Sequence, residues 1–167
     1  MAKKSQFYIF AAVIFCSLFY LGTLNKLSVS DSMQNTEKLY LNYVTEGLNT
    51  LNSGLFNQQE LSVIFRNYTD SFLDHSRAKG IRPGIIYFII LPDNSTIASN
   101  RMSSDATVIT GVDDDPGTKR IFSLPGKIEK IINIGTNFTV ELNESKYYFN
   151  VSSGETVELK VLFTKKE

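Results

Sequence analysis

The sequence predicts an α+β fold in which a long N-terminal membrane-anchored helix precedes an amphipathic helix packed on an antiparallel β-meander head. Three patterns support this prediction. Residues 7–24 form an uncharged apolar run, residues 58–79 carry apolar side chains at three- and four-residue spacing, and residues 136–164 alternate between apolar and polar. These are the patterns of a membrane span, an amphipathic helix and half-buried strands, respectively.

The segment Phe7–Leu24 gives the strongest of these signals. Fifteen of its 18 residues are apolar and none is charged. As a helix it measures about 27 Å, close to the roughly 30 Å of bilayer hydrocarbon. Its exit, Tyr20 to Asn25, lacks a small-x-small site, which favours a retained anchor over a cleaved signal peptide. Because Lys3 and Lys4 precede the segment, the positive-inside tendency places them in the cytoplasm. The expected organisation is a basic cytoplasmic leader at 1–6, a transmembrane helix at 7–24 and an extracytoplasmic α+β head at 25–167.

A short pattern stands directly before the apolar segment. Lys3, Lys4, Ser5 and Gln6 precede an aromatic-rich hydrophobic helix. This arrangement resembles the class III leader of archaeal type IV pilin-like proteins. The resemblance implies cleavage between Ser5 and Gln6, after which the hydrophobic helix stays on the mature protein. Phe10 stands at the fifth mature position, where many pilins have Glu. An uncleaved signal anchor requires only the two lysines and the apolar run, so it is the alternative interpretation.

Composition excludes several classes of protein. The 167 residues carry 17 Lys+Arg and 17 Asp+Glu, which argues against the clustered positive charge of a nucleic-acid binder. A single Cys and a single His exclude an intrachain disulfide, a cysteine-based zinc site and a multi-histidine metal site. With 43% hydrophobic residues, the chain is not an acidic disordered tail. We predict no cofactor and no nucleic-acid partner.

A second helical pattern follows the apolar segment. Its apolar residues recur at three- and four-residue spacing, and they are Leu39, Tyr40, Tyr43, Val44 and Leu48. Gly47 and the Asn-Ser-Gly at 52–54 are expected to end this helix. It is either a separate helix or a continuation of the membrane helix. We favour a near-continuous helix, as in the long first helix of pilin-like proteins, half in the membrane and half packed on the head.

The clearest element is the helix over 58–79. Asn57 is its predicted N-cap, with Glu60 completing a capping box, and Lys79 before Gly80 is a typical C-terminal pair. The stripe predicted to face the core comprises Leu61, Ile64, Phe65, Tyr68 and Phe72.

The period changes after Gly84. The continuous apolar run Ile85–Leu91 predicts a central strand covered on both faces, and Thr96–Ser99 is a candidate partner strand. Residues 100–119 are the least regular part of the chain.

The last third of the chain alternates clearly between apolar and polar residues. Segments 136–142, 146–151 and 156–164 predict three antiparallel strands with one buried face, although Leu162 interrupts the polar row. The helix over 58–79 and part of the earlier helix are expected to cover that apolar face.

Five Asn-x-Ser/Thr sequons mark candidate N-glycosylation sites, at Asn67, Asn94, Asn137, Asn143 and Asn150. Asn137 and Asn150 fall on the polar faces of strands. Asn94 and Asn143 fall in turns, and Asn67 lies off the apolar stripe of its helix. A bulky glycan at any of them would leave the core undisturbed. Modification depends on a host that has the machinery.

Other candidate sites are poorer. Asp113, Asp114 and Asp115 offer oxygen ligands for Ca²⁺, but their spacing is not that of an EF-hand loop. Asp105 is a further candidate ligand for the same ion. We predict no specific metal site, and these aspartates are weak Ca²⁺ candidates. His75 follows Asp74 on a helix, where adjacent residues do not face each other, so an exposed histidine near the helix end is expected. We predict no catalytic residue and no enzymatic activity.

These patterns favour a membrane-anchored surface protein. The resemblance implies a pilin-like filament subunit or minor pilin that assembles through its N-terminal hydrophobic helix. The expected partners are the lipid bilayer and identical or other pilin-like subunits. The alternatives are a monomeric anchored binding module, with its ligand at residues 100–119, and an accessory subunit of an envelope complex.

Overall fold

The computed structural model describes residues 36–93, 95–112, 115–135, 137–152 and 156–165, with all side chains except those of residues 112, 115–118 and 165. The predicted leader and membrane helix lie outside these ranges. Among the described residues, no helix combines the length and the apolar character that crossing a membrane requires.

The described residues form two helices and eight strands, so the predicted α+β class is confirmed. Helix α1 covers 36–56, and helix α2 covers Leu61–Ala78. The strands are β1 (Pro83–Ile90), β2 (Ser95–Asn100), β3 (Ala106–Val112), β4 (Asp115–Leu124), β5 (Glu129–Asn133), β6 (Asn137–Leu142), β7 (Ser145–Asn150) and β8 (Glu158–Lys165).

The strands make two four-stranded antiparallel sheets. The first sheet has the order β5-β2-β1-β8, and the second has the order β4-β3-β6-β7. The region predicted to be least regular, 100–119, therefore contains all of β3 and the first half of β4. This region is rich in Asp, Ser and Thr, and its strands carry few large apolar side chains. The sequence pattern therefore does not predict the hairpin.

Strand β1 lies between two hydrophobic cores, as its continuous apolar sequence predicts. Ile86 and Phe88 face the second sheet, and Ile85 and Tyr87 face the helices. All eight residues of the strand are buried. The predicted partner strand is also confirmed, since β2 pairs with β1 from Ile86↔Asn100 to Ile90↔Thr96.

The prediction of one three-stranded meander is wrong in its last strand. β6 and β7 form the expected hairpin, but β8 pairs along β1 in the other sheet. Leu162, which interrupts the polar row of β8, points into the core between the sheets and is 7% exposed. Leu159 and Val161 pack on the helix side. A strand with apolar residues on both faces belongs in the middle layer, where both faces are covered.

The helices cover the first sheet and not the predicted meander. Phe65 and Leu73 of α2 pack with Ile85, Tyr87 and Ile89 of β1. The apolar face of β6 instead packs against the first sheet, where Phe88 and Phe138 have ring centroids 4.7 Å apart. The molecule from residue 43 onward thus has a helix–sheet–sheet arrangement.

The predicted capping box at the start of α2 is wrong. The N-cap position is Glu60, with no side-chain cap hydrogen bond. Asn57 Nδ2 donates instead to Ser53 O, at the end of α1, at 2.9 Å. The predicted C-terminal pair is confirmed: Gly80 has φ 76°, and Ile81 N donates to Ser76 O at 2.9 Å. Glycine suits this left-handed position, which closes the last turn.

Helix α1 does not end at its glycines, contrary to expectation. It continues through Gly47 and Gly54 to residue 56. A β-carbon on Gly47 would lie 3.1 Å from Phe65 Cε2, and one on Gly54 would overlap Ile64 Cδ1. The two glycines therefore let α1 approach α2 closely, and that contact offsets the roughly 1 kcal/mol by which glycine disfavours a helix interior.

A buried asparagine connects the two sheets. Asn100 is fully buried at the end of β2, and its Nδ2 donates to Ser104 O at 2.8 Å and to Leu124 O at 3.0 Å. Its Oδ1 accepts from Met102 N at 2.9 Å. One side chain thus fixes the crossover from the first sheet to β3 and holds the end of β4.

A tyrosine cluster joins α1, α2 and the first sheet. The Tyr43 hydroxyl lies 2.9 Å from Thr69 Oγ1, and the Tyr68 hydroxyl donates to Tyr43 O at 2.7 Å. The Tyr87 hydroxyl donates to Glu129 Oε2 at 3.0 Å. Burial, above all, raises the pKa of all three phenols well above their ordinary value.

We predict that the head loses stability at alkaline pH through these phenols. Each binds its proton more tightly in the folded chain than in the unfolded chain. Their contribution is therefore complete below the ordinary tyrosine pKa of about 10 and declines as pH rises above it. Guanidinium unfolding of a fragment of residues 25–167 at several pH values should show this decline. Tyr43→Phe should reduce the slope above pH 10 by roughly 1.4 kcal/mol per pH unit.

Tyr148→Phe is the matched control for this experiment, because the ring of Tyr148 is 77% exposed. It should leave the pH dependence as it is in the unsubstituted fragment. If Tyr43→Phe and Tyr148→Phe behave alike, the buried phenols are not responsible.

Candidate functional surface

The sequon asparagines lie on the surface wherever the structure describes them. Asn67, Asn137, Asn143 and Asn150 are exposed, whereas Asn94 lies outside the described residues. Asn67 is on α2, and the other three are on the β6–β7 hairpin.

The hairpin brings three sequons together. Asn137 and Asn150 are direct partners across β6 and β7, so both side chains project from the same face of the sheet. Asn143 and Glu144 form the two-residue turn, with φ values of 47° and 68°. These positive angles are those of a type I′ turn, for which asparagine is well suited.

The outer face of the second sheet carries a row of two isoleucines, a threonine and a tyrosine. The strand register aligns Ile121, Ile109, Thr139 and Tyr148 across β4, β3, β6 and β7. Ile121 and Tyr148 are 68% and 77% exposed. Successive side chains of a strand point to opposite faces of the sheet. The neighbours of these residues point into the core, so these residues point outward.

An open groove crosses this face next to the row. It has a volume of about 410 Å³, and its lining includes Ile109, Gly111, Asn137, Thr139, Tyr148 and Asn150. At Gly111 a β-carbon would meet no atom within 4 Å, so the missing side chain leaves open space in the groove. The groove offers an aromatic ring and two amides, which both donate and accept hydrogen bonds.

Charged side chains border the groove. Lys146 Nζ lies 2.7 Å from Glu141 Oε1, and this hydrogen bond raises the pKa of the Lys146 ammonium. Lys119 lines the groove from β4 and is exposed. An exposed pair such as Glu141–Lys146 is screened by solvent, so it contributes more to the charge of the surface than to folding.

The remaining sequence candidates do not form a site in the described part of the chain. Asp113 and Asp114 lie outside the described residues, and Asp115 is the first residue of β4. His75 is exposed in the last turn of α2, and Asp74 pairs with Arg77 at 2.8 Å. Within the described ranges, no three His, Cys, Asp or Glu side chains are grouped so as to hold a metal ion.

Sequence reasoning missed the groove because its lining comes from four strands. The residues are separated by up to about forty positions, and only the register places them side by side. One signal was available: Tyr148 stands on the polar face of its strand, where a large aromatic ring is exposed without serving the core.

Comparisons with protein-family models, with curated proteins and with solved structures find no match to this chain.

Proposed function

We propose that this chain is a membrane-anchored surface protein, a pilin-like filament subunit or minor pilin. It assembles through its N-terminal hydrophobic helix, with the leader in the cytoplasm and the head outside. Lys3, Lys4, Ser5 and Gln6 form the processing signal. The bilayer holds the apolar helix before assembly, and neighbouring subunits pack against it afterwards.

The observation that carries this proposal is an unpaired apolar stripe on α1. Leu48 and Leu55 are seven residues apart and are 40% and 45% exposed. Leu48 directly follows Gly47, and Leu55 directly follows Gly54, so each is rotated about 100° from the glycine that faces α2. The helix thus uses one side to pack on the head and offers another side to a neighbour.

The stripe also has the composition of a helix–helix contact. A spacing of seven residues is the one at which equivalent core positions recur along a helix that packs against a neighbouring helix. Phe56, at the end of α1, extends the apolar surface and is 88% exposed. Burying each leucine in a neighbour would stabilise the contact by about 1.5–3 kcal/mol at most.

We predict that the mature protein begins at Gln6. Leader processing removes residues 1–5 on the cytoplasmic side and leaves the apolar helix intact. Mass spectrometry of the protein purified from its native membrane should give this terminus. An intact Met1 or Ala2 terminus would contradict leader processing and favour the plain signal anchor.

We also predict that two charges on the leucine stripe weaken self-association. Leu48→Glu combined with Leu55→Glu removes two partly exposed apolar contacts, which should weaken association by roughly ten- to a hundredfold. Chemical crosslinking of the full chain in membranes, together with electron microscopy for filaments, measures the loss.

Asn49→Glu combined with Ser53→Glu is the matched control, because both residues are exposed on the same helix and lie about 100° and 140° around it from Leu48, outside the stripe. The control should associate like the unsubstituted chain. Equal loss in both double variants, or no oligomer of the unsubstituted chain, would contradict assembly through α1.

The alternative function is a monomeric signal-anchored binding module or an accessory subunit of an envelope complex. The groove beside Tyr148 favours it, since an exposed aromatic ring with flanking amides suits recognition of a polar ligand. The same crosslinking experiment separates the two functions. A chain that stays monomeric and keeps Met1 or Ala2 is a module, whereas oligomers that depend on Leu48 and Leu55 indicate a filament subunit.

A further inference from the structure

The five sequons differ in how much of each one a modifying enzyme can reach. The acceptor signal is a unit of three residues, in which the asparagine is modified and the Ser or Thr two positions later is required. In a folded chain the whole unit must therefore be accessible or must open locally at low cost.

Two sequons have a buried hydroxyl residue. Thr69, which completes the Asn67 sequon, is fully buried, and its hydroxyl donates to Phe65 O at 2.8 Å. Thr96, which completes the Asn94 sequon, is fully buried in β2. Exposing either residue requires the core to open.

The Asn137 sequon is held inside the second sheet. Its middle residue, Phe138, is 3% exposed in the core between the sheets. Phe138 and Thr139 pair with β3 on one side and with β7 on the other. A glycan on Asn150, directly opposite, would also cover Asn137. Releasing this sequon requires two ladders to break.

The Asn143 sequon is different in every respect. Among the sequons whose asparagine the structure describes, it is the one in which all three residues are exposed. It forms the tip of the β6–β7 hairpin, and Leu142↔Ser145 is the last ladder pair before the turn. Lifting Asn143, Glu144 and Ser145 into an enzyme's site therefore breaks little more than that pair.

The Asn150 sequon is intermediate. Asn150 ends the edge strand β7, and Ser152 is exposed. Val151, however, packs against the core, and Ser152 N donates to Glu158 Oε1 at 3.0 Å. The free energy needed to open this sequon locally is therefore higher than the free energy needed to open the hairpin tip.

We propose that the folded protein accepts an N-linked oligosaccharide at Asn143, and that Asn67 and Asn137 are closed to modification after folding. The donor is an oligosaccharide linked to a lipid pyrophosphate. The Asn143 amide nitrogen bonds to C1 of the first sugar while the bond from C1 to the pyrophosphate oxygen breaks. The lipid pyrophosphate leaves, and the enzyme's base takes the amide proton. In the cell, this step rests on the proposed extracytoplasmic placement of the head.

The experiment uses the purified full chain in detergent, a purified oligosaccharyltransferase and a lipid-linked oligosaccharide. Five synthetic peptides, one for each sequon, give the intrinsic rate of every site. Glycopeptide mass spectrometry then gives the rate in the folded chain divided by the rate in the peptide. We expect this ratio to be near one for Asn143 and lower by at least about tenfold for Asn67 and Asn137.

Variants of the hairpin tip serve as controls. Ser145→Ala removes the signal while keeping Asn143 in its turn, and it should abolish modification there. Asn150→Gln should leave the rate at Asn143 unchanged. A folded chain left unmodified at Asn143, or modified at Asn67 or Asn137 at the peptide rate, overturns the proposal. Because the assay does not involve the membrane side, its failure is distinct from a failure of the proposed surface function.

Discussion

The double-sided burial of β1 is the constraint on which the rest of the fold depends. Its eight residues are all buried, so the strand can occupy neither an edge nor a solvent-facing layer. Ile85, Tyr87 and Ile89 require a cover on one face, which α1 and α2 provide. The alternate residues require a cover on the other face, which the second sheet provides. Each fully buried side chain of this size contributes about 1.5–3 kcal/mol, so both layers are anchored by one strand.

This arrangement determines which surfaces are left for function. Because α1 packs on α2 through Gly47 and Gly54, its leucine stripe stays outside that contact. Because the second sheet uses its inner face to cover β1, its outer face is open, with Tyr148 and the groove. The first surface suits contact between helices, and the second suits a ligand or a glycan. The proposed roles of the anchor and of the head therefore use separate parts of the molecule.

Local pattern predicted the elements well and their partners less well. Three correct predictions depend only on consecutive residues: the apolar run of β1, the alternation of β6 and β7, and the Lys79-Gly80 end of α2. Consecutive residues do not predict the partner of β8. Leu162 interrupts the polar row of β8, and its reason is the pairing with β1, which the local sequence does not show. Gly47 and Gly54 are predicted as helix ends from propensity alone, but tertiary contact with α2 outweighs propensity. The sequence predicted the exposed sequons, yet their differing accessibility depends on pairing and on buried neighbours such as Phe138 and Thr69.

The central claim is that one N-terminal helix holds this head outside the cell, and cysteine labelling on intact cells tests it most directly. Cys16 is the chain's single cysteine, so Cys16→Ser gives a background without thiols. Two variants are made in the Cys16→Ser background. One carries Ser71→Cys on the exposed side of α2, and the other carries Ala2→Cys in the leader. A membrane-impermeant maleimide should label the Ser71→Cys variant on intact cells. The Ala2→Cys variant also carries Ser5→Leu, which blocks leader cleavage so that residue 2 stays on the chain. Its cysteine should be labelled only after the cells are lysed. Protection of Ser71→Cys until lysis, or recovery of the chain outside the membrane fraction and outside filaments, would contradict the account.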